Sequence, residues 1–136
     1  MDIRLVEPID DIGAYADKNH LLRILNNLVK NSIQAIPEDR RGQIVLKLFK
    51  EENKAIISVT DNGSGISEDM QTKIFRPKFT TKSSGSGLGL AIAANMVDSI
   101  GGRIHFESKE DQGTTFFLEL PLIRSVYSPD LDRVVL

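Results

Sequence analysis

The sequence predicts a two-layer α/β sandwich, in which a mixed and mainly antiparallel sheet of about five strands carries three helices on one face. Two segments with helical periodicity, 17–36 and 88–100, are each followed by a pair of strand-like segments. The connections within each pair are short, which favours antiparallel hairpins. Strands and helices do not alternate regularly, and this pattern disfavours a doubly wound parallel sheet.

The first helix is predicted to begin at Asp17, which can cap it, and to end before Pro37. At 100° per residue, one face is apolar and the opposite face carries amides. The apolar face holds Leu21, Leu25, Leu28, Ser32 and Ile36, with Leu22, Val29 and Ile33 beside it, and the opposite face holds Asn27, Asn31 and Gln34. Residues 1–16 show little pattern apart from a short possible strand at 12–16.

The remaining elements follow in order along the chain. We expect strands at 43–50 and 54–61, a glycine turn at 62–65, a short helix at 67–75 capped by Ser67, a long loop at 76–87, a helix at 88–100 with its apolar stripe at Leu88, Ile92, Met96 and Ile100, and strands at 103–109 and 114–121. The tail 124–136 is ambiguous. A loop as long as 76–87 is typical of a functional segment.

Composition excludes several classes of protein. The chain has 136 residues, a net charge of −2 and no cysteine, so it is predicted to be one domain without a disulfide, a thiolate metal site or a cysteine nucleophile. The charge disfavours nucleic-acid partners. No apolar run approaches the ~18 residues of a transmembrane helix, and the N-terminus lacks the order of a signal peptide. We therefore expect a cytoplasmic domain that does not insert into a membrane.

Two features could bind a ligand through polar side chains. The Asn27–Asn31 stripe is either a solvated helix face or a site in which amide oxygens bind a hard cation and amide N–H groups bind phosphate. Asp61, followed by Asn62, Gly63, Ser64 and Gly65, is either an ordinary turn former or a carboxylate that accepts a hydrogen bond such as the one offered by the adenine amino group.

Two further features suit phosphate. Gly85 to Leu90 lead into a helix, whose free N–H groups and dipole attract anions, although a flexible linker has the same composition. The run matches neither a Rossmann fingerprint nor a P-loop. The preceding Arg76, Lys78 and Lys82 either serve solubility or cover a polyphosphate. In this order the four features describe a single site: a cation-holding helix, an adenine-binding carboxylate, a basic lid and an anion-binding helix start.

Together these motifs resemble the ATP-binding catalytic domain of sensor histidine kinases, in the superfamily that includes gyrase, heat-shock chaperone and mismatch-repair ATPases. LNNLVKNSIQAI resembles the N box, DNGSGI the first glycine box, IFRPKFTTK the F box, GSGLGLAIAANMV the second glycine box, and GTTFFLELP the last strand with the third glycine motif. The resemblance covers 17–122, with 1–16 as an N-terminal segment of the same domain and 123–136 as a tail. It implies a GHKL-type fold that binds ATP and Mg²⁺.

The resemblance also implies roles for individual residues. Asn31 would bind Mg²⁺, with Asn27 one turn earlier on metal or phosphate, and Asp61 would bind adenine. The residues implied for the adenine turn, the lid and the phosphates are Gly63, Gly65, Ile66, Phe75, Phe79, Lys82, Gly85, Ser86, Gly87, Leu88, Gly89, Leu90 and Thr115. Lys78 and Gln34 depart from the family pattern, since the family often has an apolar residue at the first position and some members have a phosphate-binding basic residue at the second.

Position 27 separates branches of the superfamily. ATP-hydrolysing members carry a glutamate there as a general base, whereas Asn27 cannot take a proton, which favours phosphoryl transfer to a protein side chain. His20 and His105 lack the context of a phosphoacceptor. The accepting histidine is thus expected on a dimerisation domain missing from this chain, with a response regulator receiving the phosphoryl group. The alternatives are an anti-sigma-type protein serine kinase and a degenerate nucleotide-binding interaction module.

Overall fold

The structure is a computed structural model that describes residues 1–6, 13–15, 18–76, 89–121 and 133–135, with the backbone alone at 13–15 and 133–135. Its elements are β1 (Asp2–Val6), β2 (Gly13–Tyr15), α1 (Lys18–Gln34), β3 (Gln43–Glu51), β4 (Lys54–Asp61), α2 (Glu68–Gln71), α3 (Gly89–Ser99), β5 (Arg103–Lys109), β6 (Gly113–Pro121) and β7 (Arg133–Val135). No helix in these described ranges is long and apolar enough to cross a membrane.

One five-stranded sheet forms the main layer, in the order β1-β3-β4-β6-β5. β1 runs parallel to β3, and the other neighbours are antiparallel. The hairpins β3–β4 and β5–β6 are those that the sequence predicts. β2 and β7 pair separately as a small antiparallel sheet. The predicted mixed, mainly antiparallel sheet is confirmed.

The helices cover one face of this sheet and enclose the core. α1 packs against β3, β4 and α3, and α3 also packs against β5. β4 is buried along most of its length because it lies at the centre of the sheet, and its β-branched Ile57 and Val59 suit that position. Burial of a core side chain such as Phe116 or Leu118 contributes about 1.5–3 kcal/mol.

The buried helix faces differ from the predicted ones. On α1, Leu22 is 50% exposed and Ile33 39% exposed, whereas Ile24 is fully buried. The buried face is therefore rotated toward Ile24. On α3, Ile92 is 37% exposed, while Ala91 and other small residues are buried. Of the predicted i+4 stripe, Met96 and Ile100 pack against the core, whereas Ile92 does not. A step of four residues overshoots a helical turn by about 40°, so the members of such a stripe do not all face the same way.

Two further elements, α2 and β1, differ from the predictions. α2 covers only Glu68–Gln71 and then continues as tighter turns, with the N–H of Lys73 donating to the carbonyl of Met70 at 2.9 Å. Ser67 precedes α2, but its side chain makes no capping hydrogen bond. β1 had no sequence prediction, whereas the short strand expected at 12–16 is present as β2. Apart from Arg76, the loop predicted at 76–87 lies outside the described residues.

Candidate functional site

Asp61 is the last residue of β4 and is only 4% exposed. Its Oδ1 accepts hydrogen bonds from the backbone N–H of Gly63 at 2.9 Å and of Thr114, on the neighbouring strand β6, at 3.3 Å. Two fixed donors on one carboxylate oxygen set the plane of the carboxyl group. The end of the central strand thus presents an oriented hydrogen-bond acceptor.

The glycine turn after Asp61 lies directly on the C-terminal end of α1. The N–H of Ser64 donates to the carbonyl of Ala35 at 2.9 Å. A Cβ on Gly63 would lie 2.6 Å from that same carbonyl oxygen, so a larger residue there would push the turn away from the helix. Gly65 has a φ of +70° and packs against the backbone of Lys109. Glycine is therefore what allows this turn to lie between α1 and the β5–β6 hairpin.

The loop between α1 and β3 holds the other side of the turn. Nη1 of Arg40 donates to the carbonyl oxygens of Asn62 at 2.6 Å and of Gly63 at 2.8 Å. The side-chain oxygen of Asn62 accepts from the N–H of Gln43 at 2.8 Å. The sequence does not single out Arg40, because an arginine in a polar segment carries no local signal for a contact 22 residues away.

The β5–β6 hairpin completes the support of the turn. The N–H of Ile66 donates to Oγ of Ser108 at 2.8 Å, and Ser108 also pairs with the hydroxyl of Thr114 at 2.8 Å. Nε2 of Gln71, from α2, donates to the carbonyl of Ile66 at 3.0 Å. The side chain of Ile66 packs against the core. The sequence singled out Ile66 but gave no reason to select Ser108.

The amide stripe of α1 adjoins the start of α3. A Cβ on Gly89 would lie 3.4 Å from Oδ1 of Asn27, so the first residue of α3 is next to that side chain. Asn27 and Asn31 are half-buried, and Gln34 is exposed at the end of α1. Two of the four predicted features, the amide helix and the glycine-led helix start, therefore lie side by side.

Phe75 is half-buried and packs against the core, just before the predicted loop 76–87. Its ring is 5.9 Å from that of Phe106 and 6.4 Å from that of Phe116 between centroids. Leu90 also packs against the core. The other expected lid and phosphate residues lie outside the described part of the chain, namely Phe79, Lys82, Gly85, Ser86, Gly87 and Leu88.

Thr115 is a candidate that the structure places on the opposite face of the sheet from Asp61. It pairs with Thr60, and their hydroxyl oxygens are 3.0 Å apart on the sheet face opposite to Asp61. Thr114 is instead the partner of Asp61 across the sheet and is 4% exposed. Side chains alternate between the faces of a strand, so Thr114, and not Thr115, lies on the same face of the sheet as Asp61.

A charged cluster lies on that opposite face, around Glu119. The carboxylate of Glu119 is 3.0 Å from Nζ of Lys54, 3.2 Å from Nε2 of His105 and 4.0 Å from Nε of Arg103. Burial raises the pKa of the Glu119 carboxyl, but the Lys54 hydrogen bond and the charges of Lys54, His105 and Arg103 outweigh it and leave the pKa below its usual 4.5. His105 also stacks on Phe117. The contacts of His105 thus lie away from the Asp61 turn.

The comparisons with known proteins agree with this geometry. Residues 16–124 match the family model of histidine kinase-, DNA gyrase B- and HSP90-like ATPases. The chain belongs to this family. Within it the similarity is to sensor kinases: the chain is 45% identical over 107 residues to the sensor histidine kinase ZraS of Escherichia coli (strain K12), covering 79% of this chain and 23% of ZraS. It is 40% identical over 108 residues to sporulation kinase D of Bacillus subtilis (strain 168), covering 79% of this chain and 21% of that kinase.

Solved structures show the same fold. The nucleotide-free catalytic domain of the histidine kinase ThkA superimposes with a TM-score of 0.77 at 36% identity, covering 88% of this chain and 78% of that one. Full-length ShkA in complex with AMPPNP gives 0.77 at 26% identity, covering 93% and 26% respectively. The domain is therefore an ATP-binding catalytic domain of the sensor histidine kinase type, as its motifs indicated, and it spans about a fifth of the length of the curated relatives named above.

Proposed function

We propose that this domain binds Mg²⁺-ATP and transfers the γ-phosphoryl group to a histidine on a dimerisation domain outside this chain, as a step of two-component signalling. The observation that carries the proposal is the buried Asp61 carboxylate, which two backbone N–H groups orient next to a glycine turn. A response regulator would then receive the phosphoryl group. Since ATP is the phosphoryl donor, we place the domain in the cytoplasm.

Adenine would bind at the end of β4. The carboxylate of Asp61 can accept a hydrogen bond from the exocyclic amine of adenine, which guanine lacks at that position. Gly63 and Gly65 leave the turn without side chains, so a flat base can approach its backbone. Ile66 would supply apolar contact next to the base, and Thr114 replaces Thr115 as the threonine on this side of the sheet.

The triphosphate would lie between α1 and the start of α3. Asn31 offers an amide oxygen that suits Mg²⁺, and Asn27, next to Gly89, can contact the metal or a phosphate. Mg²⁺, when bound, neutralises charge on the phosphates. The N–H groups at the start of α3, from Gly89 and Leu90, attract the phosphates, and the remaining lid and phosphate roles fall to Phe75, Phe79, Lys82, Gly85, Ser86, Gly87 and Leu88, with Gln34 at the edge.

The chemistry that these groups support is transfer and not hydrolysis. In the transfer, the bond between the γ-phosphorus and the β,γ-bridging oxygen breaks, ADP leaves with that oxygen, and the histidine nitrogen forms the new bond to phosphorus. Asn27 cannot remove a proton from water, so this position does not activate a hydrolytic nucleophile. The domain contributes by holding the γ-phosphate in line with an incoming histidine.

The test is a fusion in which the histidine-bearing dimerisation helices of a sensor kinase precede residue 1. That kinase's own catalytic domain in the same fusion is the positive control. With γ-labelled ATP we expect acid-labile phosphohistidine. Asn31→Ala should lose the label and Asn26→Ala, an exposed amide on the same helix, should retain it. A fusion that binds ATP but stays unlabelled while the positive control is labelled would overturn the proposal, and acid-stable phosphoserine would favour a serine kinase.

A further inference from the structure

We propose that Arg40 is a positioning residue for adenine recognition, because it orients the peptide groups that in turn orient the Asp61 carboxylate. The inference rests on the proposed binding of adenine at Asp61. Arg40 comes from the loop between α1 and β3, and it is half-buried. Its backbone N–H donates to the carbonyl of Pro37 at 3.2 Å, so the loop itself holds the residue in place.

The first peptide group that Arg40 holds joins Asn62 to Gly63. Its carbonyl oxygen accepts from Nη1 of Arg40 at 2.6 Å, and its N–H donates to Oδ1 of Asp61 at 2.9 Å. This single planar unit is therefore fixed at both ends, by a cation on one side and by the recognition carboxylate on the other. A rotation of the peptide that broke one contact would break the other as well.

The next peptide group, from Gly63 to Ser64, is held in the same way. Its carbonyl oxygen accepts from the same Nη1 of Arg40 at 2.8 Å, and its N–H donates to the carbonyl of Ala35 at 2.9 Å. A positive charge on a carbonyl oxygen also polarises the N–H of the same peptide, which strengthens the hydrogen bond that this N–H donates. Arg40 therefore both aims and strengthens the Gly63 N–H bond to Asp61.

The role differs from that of a general surface cation. Gly63 has no side chain that could fix the two peptide groups on either side of it, and Arg40 contacts the carbonyl oxygens of both. The adjacent Arg41 provides a matched comparison. Its side chain is 77% exposed and pairs with Asp2 of the edge strand β1 at 3.2 Å. We expect loss of the Arg40 guanidinium to loosen the Asp61 carboxylate. The residues of α1 and α3 that are proposed to bind phosphate should keep their positions.

The experiment compares two nucleotides on the whole domain by calorimetry. One is ATP, and the other is purine riboside triphosphate, which lacks the exocyclic amine. In Arg40→Met we expect ATP binding to weaken about tenfold while purine riboside triphosphate binding changes less than about threefold. Arg40→Lys, which keeps a charged donor on a shorter side chain, should recover part of the preference for ATP, and Arg41→Met should change neither affinity.

The outcomes separate this inference from the function on which it rests. Equal weakening of both nucleotides in Arg40→Met, or an undiminished preference for ATP, would overturn the role of Arg40 while the proposed function stands. No preference in the wild-type domain would overturn adenine recognition at Asp61 itself. If Arg40→Met does not fold, as judged by circular dichroism, Arg40→Gln, which also removes the charge, decides by the same ratio, and an unchanged ratio there overturns the inference.

Discussion

Replacing Asp61 by asparagine changes one atom of the proposed adenine contact and little else. In the native domain Oδ1 accepts the N–H groups of Gly63 and Thr114. The amide oxygen of asparagine can keep both of these contacts. Doing so turns its NH₂ group to the position of Oδ2, where an acceptor is replaced by a donor. The adenine amine is also a donor, so the two groups would face each other without a hydrogen bond.

The expected loss of ATP affinity in Asp61→Asn follows from this mismatch of two donors. A buried polar group left without its partner costs about 1–3 kcal/mol, which corresponds to a loss of about 5- to 150-fold in affinity. The stability of the unliganded domain should fall by less, because both N–H contacts to Oδ1 remain and only their charge assistance is lost. Asp61→Ala is a less specific test, since it also removes the acceptor of both N–H groups and so perturbs the turn itself.

Calorimetry with ATP and with purine riboside triphosphate measures the effect. We expect Asp61→Asn to weaken ATP by the stated factor and to leave purine riboside triphosphate within about threefold, since the latter carries no amine to oppose the new donor. Asp98→Asn, at an exposed aspartate near the end of α3, is the matched control and should bind as the wild type does. An unchanged affinity for ATP in a folded Asp61→Asn variant would refute the assignment.

Three further predictions concern stability. The pKa of Glu119 is lower in the folded domain than its usual 4.5. Its ionised carboxylate therefore stabilises the fold fully above pH 4.5, and this contribution disappears as the pH falls through the pKa of the folded state. Glu119→Gln should therefore flatten the acid limb of a plot of unfolding free energy against pH, and an unaltered limb would argue against the Lys54 pairing. The hydroxyl of Ser32 is buried without a hydrogen-bond partner among the described residues, so Ser32→Ala should leave the free energy of unfolding in urea unchanged or raise it by up to about 1 kcal/mol; a clear loss would contradict this. Gly113 has a φ of +119° and packs on a backbone carbonyl of β4, so Gly113→Ala should cost more than about 2 kcal/mol in thermal unfolding, whereas Gly42→Ala, which meets only flexible ends of Ile36 and Met1, should cost less.

Elements with a strong local period were predictable, and those defined by distant pairing were not. The hairpins β3–β4 and β5–β6 alternate apolar residues over a short connection, so their pairing is readable from the sequence. β1 pairs in parallel with a strand about 40 residues later, and its apolar Ile3 and Leu5 are exposed, so no local pattern marks it. On α1 the helical period located the helix, but the face that is buried depends on its packing against β3, β4 and α3.

In the candidate site, too, contiguous residues were predictable and residues that contact the site from a distance were not. Asp61 and its glycines were predicted because they are contiguous and carry a motif. Arg40 and Ser108 hold the turn from positions 22 and 42 residues away along the chain. No local sequence pattern predicts such contacts. The choice between Thr114 and Thr115 was within reach of the sequence, since alternation along β6 puts Thr114 on the same face as Phe116.

The most direct test of the proposed site is nucleotide binding by this chain, measured by calorimetry with Mg²⁺ and then with EDTA. We expect saturable binding of ATP, weaker binding of GTP, loss of affinity when Mg²⁺ is removed, and negligible turnover. Asn31→Ala should remove the dependence on Mg²⁺, and Asn26→Ala should preserve it. A folded domain that binds ATP and GTP equally, or that binds ATP with no response to Mg²⁺, would contradict the roles of Asp61 and Asn31.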